Sequence, residues 1–419
     1  MKKKIVSLLI IISMLSCVFM LNSCILFDSS TLGSSSGSGS SSGTDGVTIN
    51  AGDNYDITIN SALQPNISAG AKSVLSTVSI YCNFVRNQYW GSAVIGTENA
   101  TSGGSGVIYQ LDKVTGSAYI ITNYHVVYDA YCNTANKISG DISVYLYGKE
   151  ATKYAIPATY VGGSMNYDLA VLKIENSQIL AESSAMAVTV ADSDKIQLLE
   201  SVIAVGNPEG IGLSATVGYV NVDSEYITIS MVVNGSSREI ELRCIRIDAA
   251  VNSGNSGGGL FNAKGELIGI VNAKLSDSTV DNIGYAIPSN VAVAIADNII
   301  HYCAESDKQN VYRCLLGVTV GATESHAEYD PENGTITKFE TVVVSDISST
   351  GAAYGHLEAM DIINSISING KTHPVTRVFH VIDNMLNARV GDTVVINITR
   401  GTETKDVTIT ITEDMLTAY

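Results

Sequence analysis

Gly254-Asn255-Ser256-Gly257-Gly258 places one hydroxyl in a stretch with three glycines, which lack a Cβ. A turn of this kind lets backbone N–H groups, here those of Gly254 and Ser256, converge on a single point. Convergent N–H donors are what a developing oxyanion needs. Glycine and serine runs also build inert turns, and this chain has a longer one between Ser34 and Gly43. The turn acquires meaning from residues elsewhere that supply a base and an orienting acid.

Acyl transfer to a serine requires a base to take the hydroxyl proton and a group to hold that base in one tautomer. His125, in Thr122-Asn123-Tyr124-His125-Val126-Val127 at the end of an apolar strand pattern, is the only histidine in the first 300 residues. His301 falls in a helical pattern and is a poor second. Asp168 heads the apolar run Leu169-Ala170-Val171-Leu172-Lys173. The order His125, Asp168, Ser256 is that of two-barrel chymotrypsin-like enzymes and differs from the hydrolase and subtilisin orders.

Short runs rich in β-formers recur along the chain: Ser73 to Phe84, Ala118 to Thr122, Ile142 to Leu146, Leu169 to Ile174 and Val202 to Val205. Turn residues separate them, which predicts a sandwich or barrel. The first helix is expected at Val291, capped by Ser289 or Asn290, with Val291, Ala294, Ile295, Ile299 and Tyr302 on one face. Strands then resume at Leu315 and continue through Thr341–Val344, Ile362–Ile368, Thr393–Thr399 and Asp406–Thr412, with a short helix between Val378 and Leu386.

Ile247-Asp248-Ala249-Ala250-Val251-Asn252 leads into the nucleophile turn. Gly265-Glu266-Leu267-Ile268-Gly269-Ile270 follows it, and Ile283-Gly284-Tyr285-Ala286-Ile287-Pro288 comes next. With the His125 and Asp168 segments, these resemble the HtrA/Deg serine proteases over about residues 70 to 415. The resemblance implies a mainly β chain: a chymotrypsin-like double β-barrel over 69–304, then a PDZ domain of α+β type over 311–415. It implies a serine endopeptidase acting on unfolded or damaged proteins, assembled as a trimer and using neither metal nor cofactor. His125, Asp168 and Ser256 would be catalytic, with the amides of Gly254 and Ser256 as oxyanion hole. Leu315, Leu316, Gly317 and Val318 would receive a peptide's C-terminal carboxylate by β-augmentation. Ala250 and Val271 would form the primary pocket, which predicts small or medium apolar residues before the cut and makes Asp248 a decoy. Ser253 and Gly259 stand where relatives commonly carry proline. Met360 replaces a usual glycine ahead of Asp361, which predicts a reshaped turn.

Lys2, Lys3 and Lys4 precede the apolar run Ile5 to Leu21, an export signal over 1–23. Leu21-Asn22-Ser23-Cys24 resembles the lipobox of bacterial lipoproteins, in which Cys24 is acylated. The apolar run also suffices for an uncleaved anchor helix, and cleavage without acylation would release the chain. All three put the folded part outside the cytoplasm, and lipidation predicts a cell-membrane protein facing the extracytoplasmic side. Residues 24–68 read as anchor and Ser/Gly-rich linker, a composition unable to offset its ordering entropy. Whether 47–68 holds a strand is left open by the pattern.

A net charge of −17 argues against a nucleic-acid partner. Cys82, Cys132, Cys244, Cys303 and Cys314 show no zinc spacing. They are compatible with a disulfide or with buried thiols. The rival to the peptidase reading is a lipid-anchored PDZ chaperone or peptide-binding protein without proteolysis; a surface adhesion module is a second.

Overall fold

The computed structural model describes residues 47–51, 55–59, 65–90, 93–233, 236–272, 283–303 and 309–419. The signal, Cys24 and the Ser/Gly spacer lie outside the described residues. β1 (Val47–Ala51) and β2 (Tyr55–Ile59) pair as an antiparallel hairpin, so part of the expected linker is strand.

A helix at Pro65–Leu75 precedes the one expected to come first. Proline suits its opening turn. Ser73 Oγ bonds the Ala69 carbonyl at 2.8 Å, and Thr77 Oγ1 bonds the Ser73 carbonyl at 2.8 Å. The β-run expected from Ser73 therefore begins only at Thr77. The buried face of this helix includes Ala69 and Ser73, residues too small and too polar to print a helical hydrophobic period.

β3 (Thr77–Trp90), β4 (Ala93–Asp112), β5 (Ser117–Thr122), β6 (Asp141–Leu146), β7 (Ile156–Ser164) and β8 (Leu169–Ile174) close a barrel in the order β3-β4-β5-β8-β7-β6. β9 (Ser201–Gly206), β10 (Ser214–Val233), β11 (Ser236–Ile247), β12 (Gly259–Asn262), β13 (Leu267–Val271) and β14 (Gly284–Pro288) close a second, in the order β10-β11-β14-β13-β12-β9. This is the expected chymotrypsin-like double barrel.

The near-continuous apolar runs follow from how the barrels meet. Along β8, Ala170, Leu172 and Ile174 point into the first barrel core, while Leu169 and Val171 join a core shared with the second barrel. β9 does the same from the other side: Val202 and Ala204 face inward, Ile203 and Val205 outward. A strand buried on both faces has no polar alternation to show. The helix Ser289–Cys303 seals the shared core with Val291, Ala294, Ile295 and Ile299, the predicted face. It starts at Ser289, whose hydroxyl bonds the Ala191 carbonyl at 2.7 Å.

β15 (Tyr312–Cys314), β16 (Val318–Asp330), β17 (Thr335–Ile347), β18 (Ile362–Ile368), β19 (Lys371–Pro374), β20 (Thr393–Arg400), β21 (Glu403–Thr410) and β22 (Leu416–Ala418) follow. Their main sheet runs β16-β17-β18-β20-β21 with β19 on β18, leaving β16 at the edge, and β15 pairs with β22. The helix Phe379–Met385 covers the sheet with Val381 and Met385. Its other side meets the second barrel, where Arg243 Nη2 lies 2.6 Å from Asp383 Oδ2 and its guanidinium stacks 4.0 Å from the Phe379 ring. Burial there pushes the Asp383 carboxyl up to about 6.

Met360 adopts a left-handed backbone that favours glycine, with φ +74, and its N–H reaches the Val344 carbonyl at 2.8 Å. Asp361 anchors the turn. Its Oδ1 accepts from Arg400 Nε at 2.7 Å, and its Oδ2 accepts from the Glu358 amide at 2.8 Å. A side chain in this conformation costs about 1 to 2 kcal/mol, partly offset by the greater unfolded-state freedom of glycine. Met360→Gly is expected to raise the unfolding free energy by up to ~1 kcal/mol, read as a higher urea midpoint; a lowered midpoint would refute the strain.

All five described cysteines are buried free thiols. Burial pushes Cys82 up to about 12 and Cys314 up to about 11, so both stay protonated and inert.

Candidate active site

β5 carries the chain into Asn123 and a single helical turn, Tyr124–Val127, that lifts His125 off the barrel. Asp168 sits in the turn before β8 with φ +49, fully buried. Its carbonyl holds this unusual geometry by accepting from the Tyr124 amide at 3.1 Å and from Asn123 Nδ2 at 2.9 Å. The same bonds fix the His125 turn to the Asp168 turn.

His125 Nδ1 lies 2.7 Å from Asp168 Oδ2, and the His125 amide donates to Asp168 Oδ1 at 3.0 Å. Asn272 Nδ2 donates to Oδ2 at 2.8 Å. A buried carboxylate with these donors is satisfied. Its acceptor oxygen sets the histidine tautomer: Nδ1 carries the proton and Nε2 is left as the base.

Ser256 arrives from the second barrel on the predicted turn and is 5% exposed. Its carbonyl accepts from the Ser105 amide at 2.8 Å, tying the turn to β4 of the first barrel. Ser105 Oγ donates to the Gly254 carbonyl at 2.7 Å and accepts from the Asn207 amide at 2.8 Å. Gly257 has φ +83, and a Cβ there would lie 2.2 Å from the Ser105 carbonyl and 3.0 Å from the Asn123 amide. The turn is thus pressed against the segment that presents His125.

The Ser253 carbonyl accepts from the Glu209 amide at 2.9 Å. In a trans peptide the N–H points opposite to the carbonyl, so the Gly254 N–H is aimed away from Glu209. Gly259 cannot be proline's equivalent in bulk, since a Cβ there would meet the Phe261 ring at 2.3 Å.

Asp248 Oδ1 accepts from the Tyr219 amide at 2.6 Å, which occupies the decoy carboxylate in strand pairing. Ala250 is exposed, and its carbonyl accepts from Thr216 Oγ1 at 2.9 Å. Val271 is fully buried in the second-barrel core, and its backbone braces Gly257 and Gly258 at 2.9 and 2.8 Å. In the C-terminal sheet, the carbonyls of Leu315, Leu316 and Gly317 accept from Ala352, Ala353 and Ser348. The amides of Leu316, Gly317 and Val318 therefore face the opposite side, beside the β16 edge.

Sequence reading missed Asn272, Ser105 and Asn123. Their one signal is a polar residue closing or opening an apolar run.

Residues 104–270 match the family described as a trypsin-like peptidase domain. Two barrels with His125 held by Asp168 beside the Ser256 turn define that class. More narrowly, the chain belongs to the Do-like HtrA serine proteases. It is 35% identical over 314 residues to serine protease Do-like HtrA of Bacillus subtilis, covering 73% of this chain and 62% of that one. It is 30% identical to serine protease Do-like HtrA of Lactococcus lactis subsp. cremoris, covering 75% and 74%. Among solved structures, the HtrA-type protease AlgW with tripeptide matches with a TM-score of 0.50 and 26% identity, over 84% of this chain and 97% of that one.

Proposed function

We propose that this protein is an extracytoplasmic, membrane-anchored serine endopeptidase that cleaves unfolded or damaged polypeptides. The observation that carries the reading is the 2.7 Å contact of His125 Nδ1 with the buried Asp168 carboxylate, which leaves Nε2 as a base. His125 takes the Ser256 proton as Oγ attacks a peptide carbonyl. Asp168 orients the ring and stabilises the imidazolium that forms. The amides of Gly254 and Ser256 receive the oxyanion, where one donor is typically worth about 10² to 10³ in turnover. His125 then protonates the leaving amine, and water releases the acyl group. Ala250 borders the primary pocket.

The C-terminal sheet is read as a PDZ domain whose Leu315–Val318 amides take a peptide's terminal carboxylate beside the open edge of β16. Domain limits of 69–304 and 311–415, a trimeric assembly and an acylated Cys24 belong to the same proposal. Among the described residues no helix is long and apolar enough to cross a membrane.

The test is a fluorophosphonate, which loses fluoride as Ser Oγ attacks phosphorus. Purified protein is expected to cleave casein and to lose that activity in step with one adduct, located on Ser256 by peptide mass analysis. Cleavage that survives full labelling, or an adduct elsewhere, rejects the reading. Binding of casein without cleavage would favour a chaperone.

A further inference from the structure

A cavity of about 310 Å³ lies against His125, and neither Ala250 nor Val271 lines it. Its wall combines Phe84 of β3, Tyr128 and Tyr131 just beyond the His125 turn, and Met231 and Val232 of the β10–β11 hairpin. Both barrels therefore bound it. Tyr128 Oη donates to the Val232 carbonyl at 3.2 Å, which ties the hairpin across to the His125 segment.

The lining also contains a cation, Arg86, but its charge is committed. Arg86 Nε donates to Asp129 Oδ2 at 2.7 Å, Nη2 lies 2.5 Å from the same oxygen, and Asp129 Oδ1 accepts from the Tyr131 amide at 2.8 Å. What remains for a ligand is aromatic and aliphatic surface and the uncharged hydroxyl residues Thr101 and Ser102, around a neutralised pair. Such a wall favours an uncharged, bulky group and gives no compensation for a buried charge.

We propose that this cavity is a second specificity subsite, which takes a large apolar or aromatic side chain one or two residues from the bond that is cut. The placement rests on the peptidase reading. A base acting on the scissile bond must lie beside it, and an extended substrate advances only about 3.3 Å per residue. A side chain sharing a wall with His125 therefore belongs to a close neighbour of that bond.

The test uses fluorogenic peptides that are identical except for Phe, Gly, Asp or Glu at the positions flanking the cleaved bond. At one of those positions the purified protein is expected to favour Phe over Gly by about tenfold in kcat/KM, with Asp below Gly. Tyr131→Ala combined with Val232→Ala should shrink the Phe-to-Gly ratio to about twofold. Val114→Ala, at a residue 94% exposed and outside the cavity, should leave the ratio alone. Asp129→Asn uncovers the Arg86 charge and should raise the relative rate on Glu. No apolar preference at any flanking position, or a preference that neither the double variant nor Asp129→Asn alters, overturns the subsite. Cleavage of neither the peptides nor casein would sink the peptidase reading itself, a result distinct from cleavage without flanking preference.

Discussion

Asp168→Asn is expected to lower kcat by about 10⁴ while KM changes little, the size of effect that loss of the correct histidine tautomer produces in serine peptidases. The two side chains have nearly the same shape, so the loss is chemical. Asp168 Oδ2 accepts from His125 Nδ1 at 2.7 Å and from Asn272 Nδ2 at 2.8 Å, while Oδ1 accepts from the His125 amide at 3.0 Å. An asparagine must put an NH₂ group at one of these positions. At the Oδ1 position it would oppose a backbone N–H that cannot turn around. At the Oδ2 position it opposes only the Asn272 amide, which can flip, and the imidazole, which can change tautomer. The second arrangement is therefore the stable one. It donates to Nδ1, moves the ring proton to Nε2 and removes the base. The checks are steady-state kinetics and the imidazole Nδ1 proton resonance, which should vanish in the variant with far-UV circular dichroism unchanged. A loss below tenfold would rule out the proposed role of Asp168.

The chemistry of the site was more legible than its scaffold. His125, Asp168 and Ser256 stand out because acyl transfer demands those groups in a recognisable order. β8 and β18 match the expected runs at both ends: β8 is buried along nearly its whole length, and β18 sets buried isoleucines among half-buried polar residues, the alternation of a strand with one covered face. β3 and β4 were not legible at their true lengths of 14 and 20 residues. Beyond the barrel they continue as an exposed hairpin held by backbone pairing, where no alternation of burial marks the sequence. Asn272 was invisible for a different reason. Its bond to Asp168 spans 104 residues, and that of Ser105 to Gly254 spans 149. Such contacts exist only once both barrels have closed, and no local pattern encodes them.

The same long-range closure makes Gly257 an exacting position in the nucleophile turn. Gly257→Ala is expected to cost about 2 to 4 kcal/mol of stability and at least 10² in kcat. Its φ of +83 carries a penalty of about 1 to 2 kcal/mol for any residue with a Cβ. The new methyl would also lie 2.2 Å from the Ser105 carbonyl oxygen and 2.3 Å from Thr122 Oγ1. Neither neighbour can retreat cheaply. The Ser105 carbonyl accepts from Thr122 Oγ1 at 2.7 Å, and the Ser105 amide holds the Ser256 carbonyl at 2.8 Å. Relief must come from moving the turn, and a displacement near 1 Å at a reacting group costs about 10² in rate. Gly70→Ala provides the control: it lies in the helix Pro65–Leu75 with nothing within 4 Å of the added carbon. That change should be neutral or stabilising by up to ~1 kcal/mol, with turnover unaltered. Urea unfolding and peptide kinetics on both variants decide the matter. If Gly257→Ala retained full turnover, the turn could not be the rigid platform that its contacts with Ser105 and Thr122 describe.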